Sequence, residues 1–195
     1  LLAVDPVGLG GLHVCARAGP TRDAFLQGLP KPATQTRRVS PTIDDTQLFG
    51  GVDIAATLAE SRVITRAGLL AEPCQIVLSM AERCPQGLAA RLGQALDSRT
   101  GHSLVLLDEG IDDETAPASL LERLAFRVDL NGLRAADLGE IVLERHQIEE
   151  ARLGLHAIHV PDDLVVSVAV AAARFGIDTL RAPLFALAAM RAHAA

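Results

Sequence analysis

The chain has 195 residues, with 18 Lys and Arg against 24 Asp and Glu, and 49% of its positions are hydrophobic. This length predicts a folded protein with a sizeable core, and a charged fraction of 22% is too moderate for an intrinsically disordered chain. The net charge of −6 argues against sequence-independent DNA binding, which needs a basic surface to neutralise phosphates. The longest apolar runs, residues 164–173 and 184–190, are shorter than the roughly 20 residues that span a bilayer, so we expect no membrane span.

The first six residues, Leu-Leu-Ala-Val-Asp-Pro, contain neither an initiator Met nor a basic leader, which favours a fragment over a signal peptide. The three cysteines lack the spacing of metal ligands, and we predict that they are reduced thiols buried as small apolar groups: Cys15, Cys74 and Cys84. Lys31 is the single Lys and Asn131 the single Asn of the chain. A nucleotide site in this protein must therefore rely on arginines.

Short apolar runs alternate with helical patterns up to about residue 130, and helical patterns then follow one another. This order predicts an α/β domain over residues 1–132 and a small α-helical domain over residues 133–195. Apolar runs without alternation indicate buried parallel strands, which we place at residues 12–15, 76–80, 103–107 and 126–130. The predicted helices cover residues 21–27, 53–59, 85–97, 117–124, 135–153, 161–175 and 178–194, the last with Asp178 as its N-cap. A long loop or an excursion at the edge of the sheet is expected over residues 31–47, and a hairpin that turns at Gly68 over residues 63–71.

The turn after the first predicted strand is a candidate phosphate site, because a strand, a Gly-containing turn and a helix place backbone amides at a helix N-terminus. Gly19, Thr21 and Arg22 occupy this turn, and Arg22 or Arg17 can hold a phosphate as a fork-shaped cation. The segment lacks the Lys and the several glycines of a working phosphate-binding loop, and Asp23 adds a negative charge. An ordinary strand-to-helix turn that binds nothing is the alternative.

The carboxylates of the chain do not form the pattern that orients Mg²⁺ and water in such ATPases, because no acidic residue directly follows the strand at 76–80. Glu82 comes two or three positions later, and we expect it to be solvated or to cap the next helix. The five carboxylates of residues 108–114 are most simply a solvated loop. His156 and His159 stand three apart without an evident third ligand, so we predict no metal site.

The order of short motifs resembles the AAA+ module of the magnesium chelatase family, and its D subunit more than its I subunit. The matching segments are the degenerate loop at 17–22, Leu-Phe-Gly-Gly-Val-Asp-Ile at 48–54, Arg-Ala-Gly-Leu-Leu-Ala at 66–71, the neutral strand end at 79–80, Leu-Leu-Glu-Arg at 120–123 and Gly-Ile-Asp-Thr-Leu-Arg-Ala at 176–182. Together they span nearly the whole chain. The resemblance implies an α/β fold with an AAA+ P-loop-type parallel sheet sandwiched by helices, followed by a small α-helical lid domain.

In function, the resemblance implies a subunit of an ATP-dependent complex that inserts Mg²⁺ into protoporphyrin IX during chlorophyll or bacteriochlorophyll biosynthesis. In this family the I subunit hydrolyses ATP, the H subunit binds the porphyrin, and the D subunit bridges them within a ring that is expected to be hexameric. ATP and Mg²⁺ are then cofactors of the complex, which works in the cytoplasm or in a plastid stroma. The chain itself would hydrolyse little or no ATP. The alternatives are a weak autonomous ATPase and a scaffold of a related metal-insertion or chaperone complex.

Two arginines carry the functional expectation that the resemblance implies. Arg123 matches the arginine finger that acts on the nucleotide of a neighbouring subunit, a role suited to a permanent, planar cation that stabilises charge on the transferred phosphoryl group. Its alternative is a surface ion pair with Glu122 or Asp129. Arg181 matches the second sensor arginine, which reports nucleotide state to the helical domain. A cation near a helix N-terminus is unfavourable, so a purely structural role for Arg181 is not expected.

Overall fold

The computed structural model describes residues 1–139 and 144–195, and a parallel sheet forms its centre. The described strands are β1 (Gly11–Cys15), β2 (Gln35–Val39), β3 (Gly50–Val52), β4 (Thr65–Ala67), β5 (Cys74–Ser79), β6 (Ser103–Asp108) and β7 (Phe126–Asp129). Five of them pair in parallel in the order β2-β5-β6-β1-β7, while β3 and β4 form a separate antiparallel pair. All five parallel strands therefore end at one edge of the sheet, the carboxyl edge, and begin at the opposite one, the amino edge.

The described helices flank this sheet and then continue without further strands. They are α1 (Pro6–Leu9), α2 (Pro20–Gly28), α3 (Asp45–Phe49), α4 (Ile54–Glu60), α5 (Gln86–Asp97), α6 (Ala118–Leu121), α7 (Arg145–Gly154), α8 (Asp162–Arg174) and α9 (Arg181–Ala194). The helix α9 packs against α8 and also contacts α1. Of the last three helices, α9 is thus placed against the amino-terminal part of the chain.

Apolar side chains cover both faces of the sheet, as the runs without alternation predict. On one face Ile76 and Leu104 pack in a cluster that includes Leu92 of α5. On the other face Val77 and Val105 belong to a second cluster, which Phe25 and Leu26 of α2 complete. Because neighbouring residues of a strand point to opposite faces, a strand buried on both sides is apolar at most positions. The predicted α/β architecture with its buried parallel strands is confirmed.

Of the two alternatives for residues 31–47, the edge excursion is confirmed and the long loop is wrong, and the hairpin predicted over residues 63–71 is also wrong. The strand β2 lies inside the first segment, and its sequence Gln-Thr-Arg-Arg-Val is polar because it forms the exposed end of the sheet. In the second segment β4 pairs with the distant β3. Gly68 is required because the backbone of Gly50 passes close to it, and not because it forms a turn. A Cβ on Gly68 would lie 2.2 Å from the backbone nitrogen of Gly50.

The helical predictions near the C-terminus need two corrections. Instead of one helix over residues 135–153, the structure has a short 3-10 turn at Ala135–Asp137 and then α7, which Glu144 begins with a capping box to Gln147. The part of that prediction at residues 140–143 lies outside the described residues. The last helix begins at Arg181 with Leu180 at the N-cap position, so Asp178 is not its cap.

No single helix among the described residues is both long and apolar enough to cross a membrane. By length and composition alone, one bent pair, Arg145–Ala157 with Asp162–Arg174, passes the same test together at an angle of 103°.

Candidate functional site

The degenerate loop lies at the carboxyl edge, between the end of β1 and the start of α2. It borders a cavity of about 270 Å³ that the segment 130–133 closes from the other side. Gly19 precedes the helix directly, and Pro20 takes the first helical position, which leaves one backbone amide fewer for a phosphate. The strand-to-helix architecture that the sequence predicts is present.

Of the three residues predicted to hold a phosphate, Thr21 and Arg22 have side chains that are hydrogen-bonded to other residues of the protein. The Thr21 hydroxyl donates a hydrogen bond to the carbonyl oxygen of Leu133 at 3.2 Å. The Nη1 atom of Arg22 lies 2.5 Å from a carboxylate oxygen of Glu109, and the arginine side chain is 13% exposed. Because both groups are engaged and the segment has no Lys, the residues present do not fit a tight triphosphate site.

Asp108 ends β6 at the carboxyl edge, and it is buried in a hydrogen-bond network. Its carboxylate contacts Nε2 of His13 at 2.8 Å and accepts hydrogen bonds from the amides of Gly110 and Ala116 at 2.9 Å each. Burial alone would raise the pKa of Asp108, but these two amides and the His13 ring hold it below the ordinary value. The prediction of a solvated acidic loop is therefore wrong for Asp108, although Asp112, Asp113 and Glu114 are exposed.

Among the described residues, His13, Cys15 and Asp108 form one group whose ligand atoms lie within 4.8 Å of one another. The Cys15 sulfur is 3.5 Å from Nε2 and 3.8 Å from Nδ1 of His13, so it lies beside the ring rather than in line with one nitrogen. Burial raises the pKa of the Cys15 thiol. Because the carboxylate is already saturated by its four donors, we interpret the group as a structural network.

Glu82 is neither solvated nor the cap of α5, contrary to the prediction. Its side chain is 4% exposed, and its carboxylate accepts a hydrogen bond from the Glu109 amide at 3.0 Å. Since the side chain of Glu109 also pairs with Arg22, the ends of β5 and β6 are tied to the start of α2. At the carboxyl edge, charged groups thus stabilise the protein itself.

Arg123 lies at the amino edge, on the other side of the sheet from the degenerate loop. It follows α6, and its backbone is close to the residue before β1, since a Cβ on Gly10 would lie 2.0 Å from the Arg123 carbonyl oxygen. Its Nε and Nη2 atoms both donate to one oxygen of Asp97, at 3.0 and 2.6 Å. The predicted alternative partners, Glu122 and Asp129, are not the carboxylates that it contacts in the described part of the chain.

Arg181 reaches the same carboxylate from the first residue of α9. Its Nη2 atom is 3.0 Å from the second oxygen of Asp97, so one carboxylate bridges two arginines from separate parts of the chain. The arginine hydrogen bonds to Asp97, with Arg123 contributing most, hold the pKa of that carboxyl below its usual range despite the opposing effect of burial. This ion pair also explains how a cation is tolerated at the start of a helix.

A cavity of about 450 Å³ lies beside this bridge, and arginines outnumber carboxylates among the charged residues of its otherwise largely apolar lining. These charged residues are Asp5, Asp97, Arg99, Arg123, Arg181 and Arg191. The side chains of Arg123 and Arg181 are 21% and 39% exposed, so they remain accessible from outside. The structure therefore brings together the two arginines that the sequence singles out, and it separates them from Gly19, Thr21 and Arg22.

Sequence reasoning missed Asp97, although a signal was present. An acidic residue in the last turn of a helix is unfavourable next to the negative end of the helix dipole. Asp97 ends the predicted helix over residues 85–97 in that way. An acidic residue at such a position is expected to have a cationic partner from elsewhere in the fold.

Relatives and solved structures place this geometry in a known context. Comparison with protein-family models finds no match. The chain is 47% identical over 196 residues to the Magnesium-chelatase 60 kDa subunit of Cereibacter sphaeroides, which covers 100% of this chain and 35% of the relative. Over its whole length, the chain is therefore homologous to part of this magnesium-chelatase subunit. The subunit of the same name from Rhodobacter capsulatus is 43% identical over 195 residues, covering 98% of this chain and 34% of that protein.

These relatives confirm the resemblance to magnesium chelatase that the motifs indicate. The chain spans about a third of the length of the curated relatives that it matches. The crystal structure of a candidate ATPase from Cytophaga hutchinsonii superposes with a TM-score of 0.66 at 12% identity, covering 99% of this chain and 72% of that one. At this identity the match concerns the fold alone, and it agrees with an AAA+ type of α/β sheet.

Proposed function

We propose that this chain is the AAA+ part of a subunit of ATP-dependent magnesium chelatase, the ligase that inserts Mg²⁺ into protoporphyrin IX. In this proposal residues 1–132 are its α/β core and residues 133–195 its helical lid. The chain assembles into a ring with the ATPase I subunit and couples that subunit to the porphyrin-binding H subunit. The similarity to two magnesium-chelatase 60 kDa subunits, which extends over nearly the whole of this chain and about a third of each relative, supports the complex.

The observation that carries the proposal is the placement of the charged groups at the two edges of the sheet. At the carboxyl edge, Thr21 and Arg22 are occupied by Leu133 and Glu109. At the amino edge, the Arg123 and Arg181 side chains are partly exposed next to a cavity in which arginines outnumber carboxylates. This distribution supports a subunit that contributes little to its own nucleotide site and offers cations to another one.

The distance across the sheet favours action on a neighbouring subunit. The five residues of β1 separate the two edges by about 16 Å, and the buried core fills the space between them. An arginine side chain cannot cross that distance to a phosphate at Gly19. We therefore assign both Arg123 and Arg181 to the nucleotide of the adjoining subunit, where permanent cations stabilise the negative charge of the transferred phosphoryl group.

The autonomous ATPase alternative requires Arg22 to replace the missing Lys. Its guanidinium is instead directed to Glu109, and breaking that contact would leave a partly buried carboxylate without its partner. The scaffold alternative predicts that neither arginine at the amino edge affects catalysis. An ATPase measurement, and not the fold, distinguishes this scaffold from the proposed function.

The test is the steady-state ATPase activity of the I-type partner, alone and with this chain, using the unaltered chain and Arg123→Ala. We expect the chain to change the partner's kcat. The Arg123→Ala variant should reduce that change at least about tenfold, since trans-acting arginines contribute large factors to phosphoryl transfer. The matched control is Arg91→Ala, because Arg91 also forms a surface ion pair, with Asp45. Co-sedimentation of each variant with the partner separates lost assembly from lost catalysis.

Two outcomes contradict the proposal. An Arg123→Ala chain that assembles and changes the partner's kcat as the unaltered chain does favours the scaffold. ATP hydrolysis by the isolated chain that Arg22→Ala abolishes favours the autonomous ATPase.

A further inference from the structure

Asp97 is placed to organise both arginines of the amino edge at once. It is the last residue of α5, and each of its carboxylate oxygens faces a different guanidinium. Arg123 belongs to the segment between α6 and β7, whereas Arg181 begins α9. A single side chain thus connects the sheet domain to the helical segment at the point where the proposed function needs two cations.

The orientation of Arg123 is fixed from three sides. Its Nη1 atom donates to the carbonyl oxygen of Ser119 at 2.5 Å, while Nε and Nη2 hold Asp97. The guanidinium also lies against Gly93, one helical turn before Asp97, where an added Cβ would be 3.1 Å from the arginine Nε. These contacts use three of the five N–H groups of the guanidinium and leave two for another acceptor.

Electrostatics makes the carboxylate necessary for this arrangement. Two guanidinium groups that approach one acceptor repel each other, and one intervening negative charge offsets part of that repulsion. The bridge keeps one net positive charge at a surface where the three side chains are between 21% and 39% exposed. It can therefore attract an anion such as a nucleotide phosphate without losing its internal order.

We infer that Asp97 is a positioning residue, which orients Arg123 for the neighbouring subunit's nucleotide and couples that orientation to the helical segment through Arg181. The inference rests on the proposed function and adds a residue to it. Asp97 does not contact the nucleotide in this scheme. A shift of α9 moves Arg181, and the shared carboxylate transmits that shift to Arg123.

The experiment measures kcat and KM for ATP of the I-type partner at saturating concentrations of Asp97→Asn, Asp97→Glu and the unaltered chain. We expect Asp97→Asn to reduce the chain-dependent change in kcat about fivefold, the order expected when a partly exposed ion pair is lost, with KM nearly unchanged. Asp97→Glu keeps the charge and should recover part of the change. The matched control is Asp45→Asn, which removes the carboxylate of another surface arginine pair.

A double-mutant cycle tests the coupling between the two arginines. Arg181→Ala alone should lower the chain-dependent kcat, and adding it to Asp97→Asn should cause less than a further twofold loss, because both changes disrupt one bridge. If the fold losses of the two single variants multiply in the double variant, the two residues act independently and the coupling is contradicted. An unaltered kcat with Asp97→Asn contradicts the positioning role. If Arg123→Ala removes the stimulation while Asp97→Asn keeps it, only this inference fails; if Arg123→Ala has no effect, the proposed function fails as well.

Discussion

The two edges of the central sheet use charged residues for opposite purposes. At the carboxyl edge the contacts among Arg22, Glu109 and Glu82 are largely shielded from water and join loops of the same domain. At the amino edge Arg123 and Arg181 share Asp97 beside an open cavity in which arginines outnumber carboxylates. The first arrangement satisfies its donors and acceptors internally, while the second leaves N–H donors for another molecule.

Under the proposed function, this difference is the one expected of a subunit that contributes little to its own nucleotide site and acts on that of a neighbour. The charged groups at the carboxyl edge pair with each other, so they stabilise the fold without a ligand. The site that we propose to act on a neighbouring molecule lies at the other end of the strands, so its arginines do not depend on these contacts. The comparison can be tested by removing one group at a time from each edge.

The largest expected effect is on the buried pair at the carboxyl edge. His13→Ala should lower the free energy of unfolding by about 2–4 kcal/mol, because it removes a large buried side chain and a hydrogen bond to Asp108. Urea unfolding measures the change. The control is His146→Ala, an exposed histidine of α7, which should change stability by less than about 0.5 kcal/mol. Equal effects of the two substitutions on the free energy of unfolding would contradict the interpretation that the His13 network stabilises the fold.

A smaller effect is expected for Arg22→Ala, about 1–2 kcal/mol of destabilisation, since Glu109 loses a partly buried partner. The isolated chain should bind ATP no more weakly than before, which calorimetry can measure. A loss of ATP affinity in this variant would show that the carboxyl edge retains a nucleotide site. The contrast between the two edges would then be incorrect.

The smallest expected difference concerns acid unfolding. The folded pKa values of Asp108 and Asp97 are both lowered, so each carboxylate stabilises the protein above its unfolded pKa of about 4 and loses this contribution as the pH falls through the folded value. Because Asp108 is buried and Asp97 is 38% exposed, Asp108→Asn should flatten the loss of stability between about pH 5 and pH 3 more than Asp97→Asn does. Urea unfolding at several pH values measures both slopes, and the reverse order would contradict the comparison.

The sequence identifies those parts of the fold whose pattern follows from local burial. The strand at 103–107 is apolar at most positions because both faces are covered, and the structure places β6 at Ser103–Asp108. The helix predicted at 85–97 is found as α5 at Gln86–Asp97 for a similar reason, since its apolar residues recur on one face. In contrast, β2 is a strand only because β5 is available to pair with it, and its exposed side chains carry no apolar signal.

The sequence alone also determined the relationship to magnesium chelatase, the absence of a Lys in the degenerate loop, and Arg123 and Arg181 as candidate functional residues. Only the tertiary structure decided the partners of these groups. Asp97 and Arg181 are 84 residues apart, and Arg22 and Glu109 are 87 apart. Ion pairs of this kind form where the packing of the sheet and helices brings two charges together, so their partners depend on the whole fold and not on neighbouring residues in the chain.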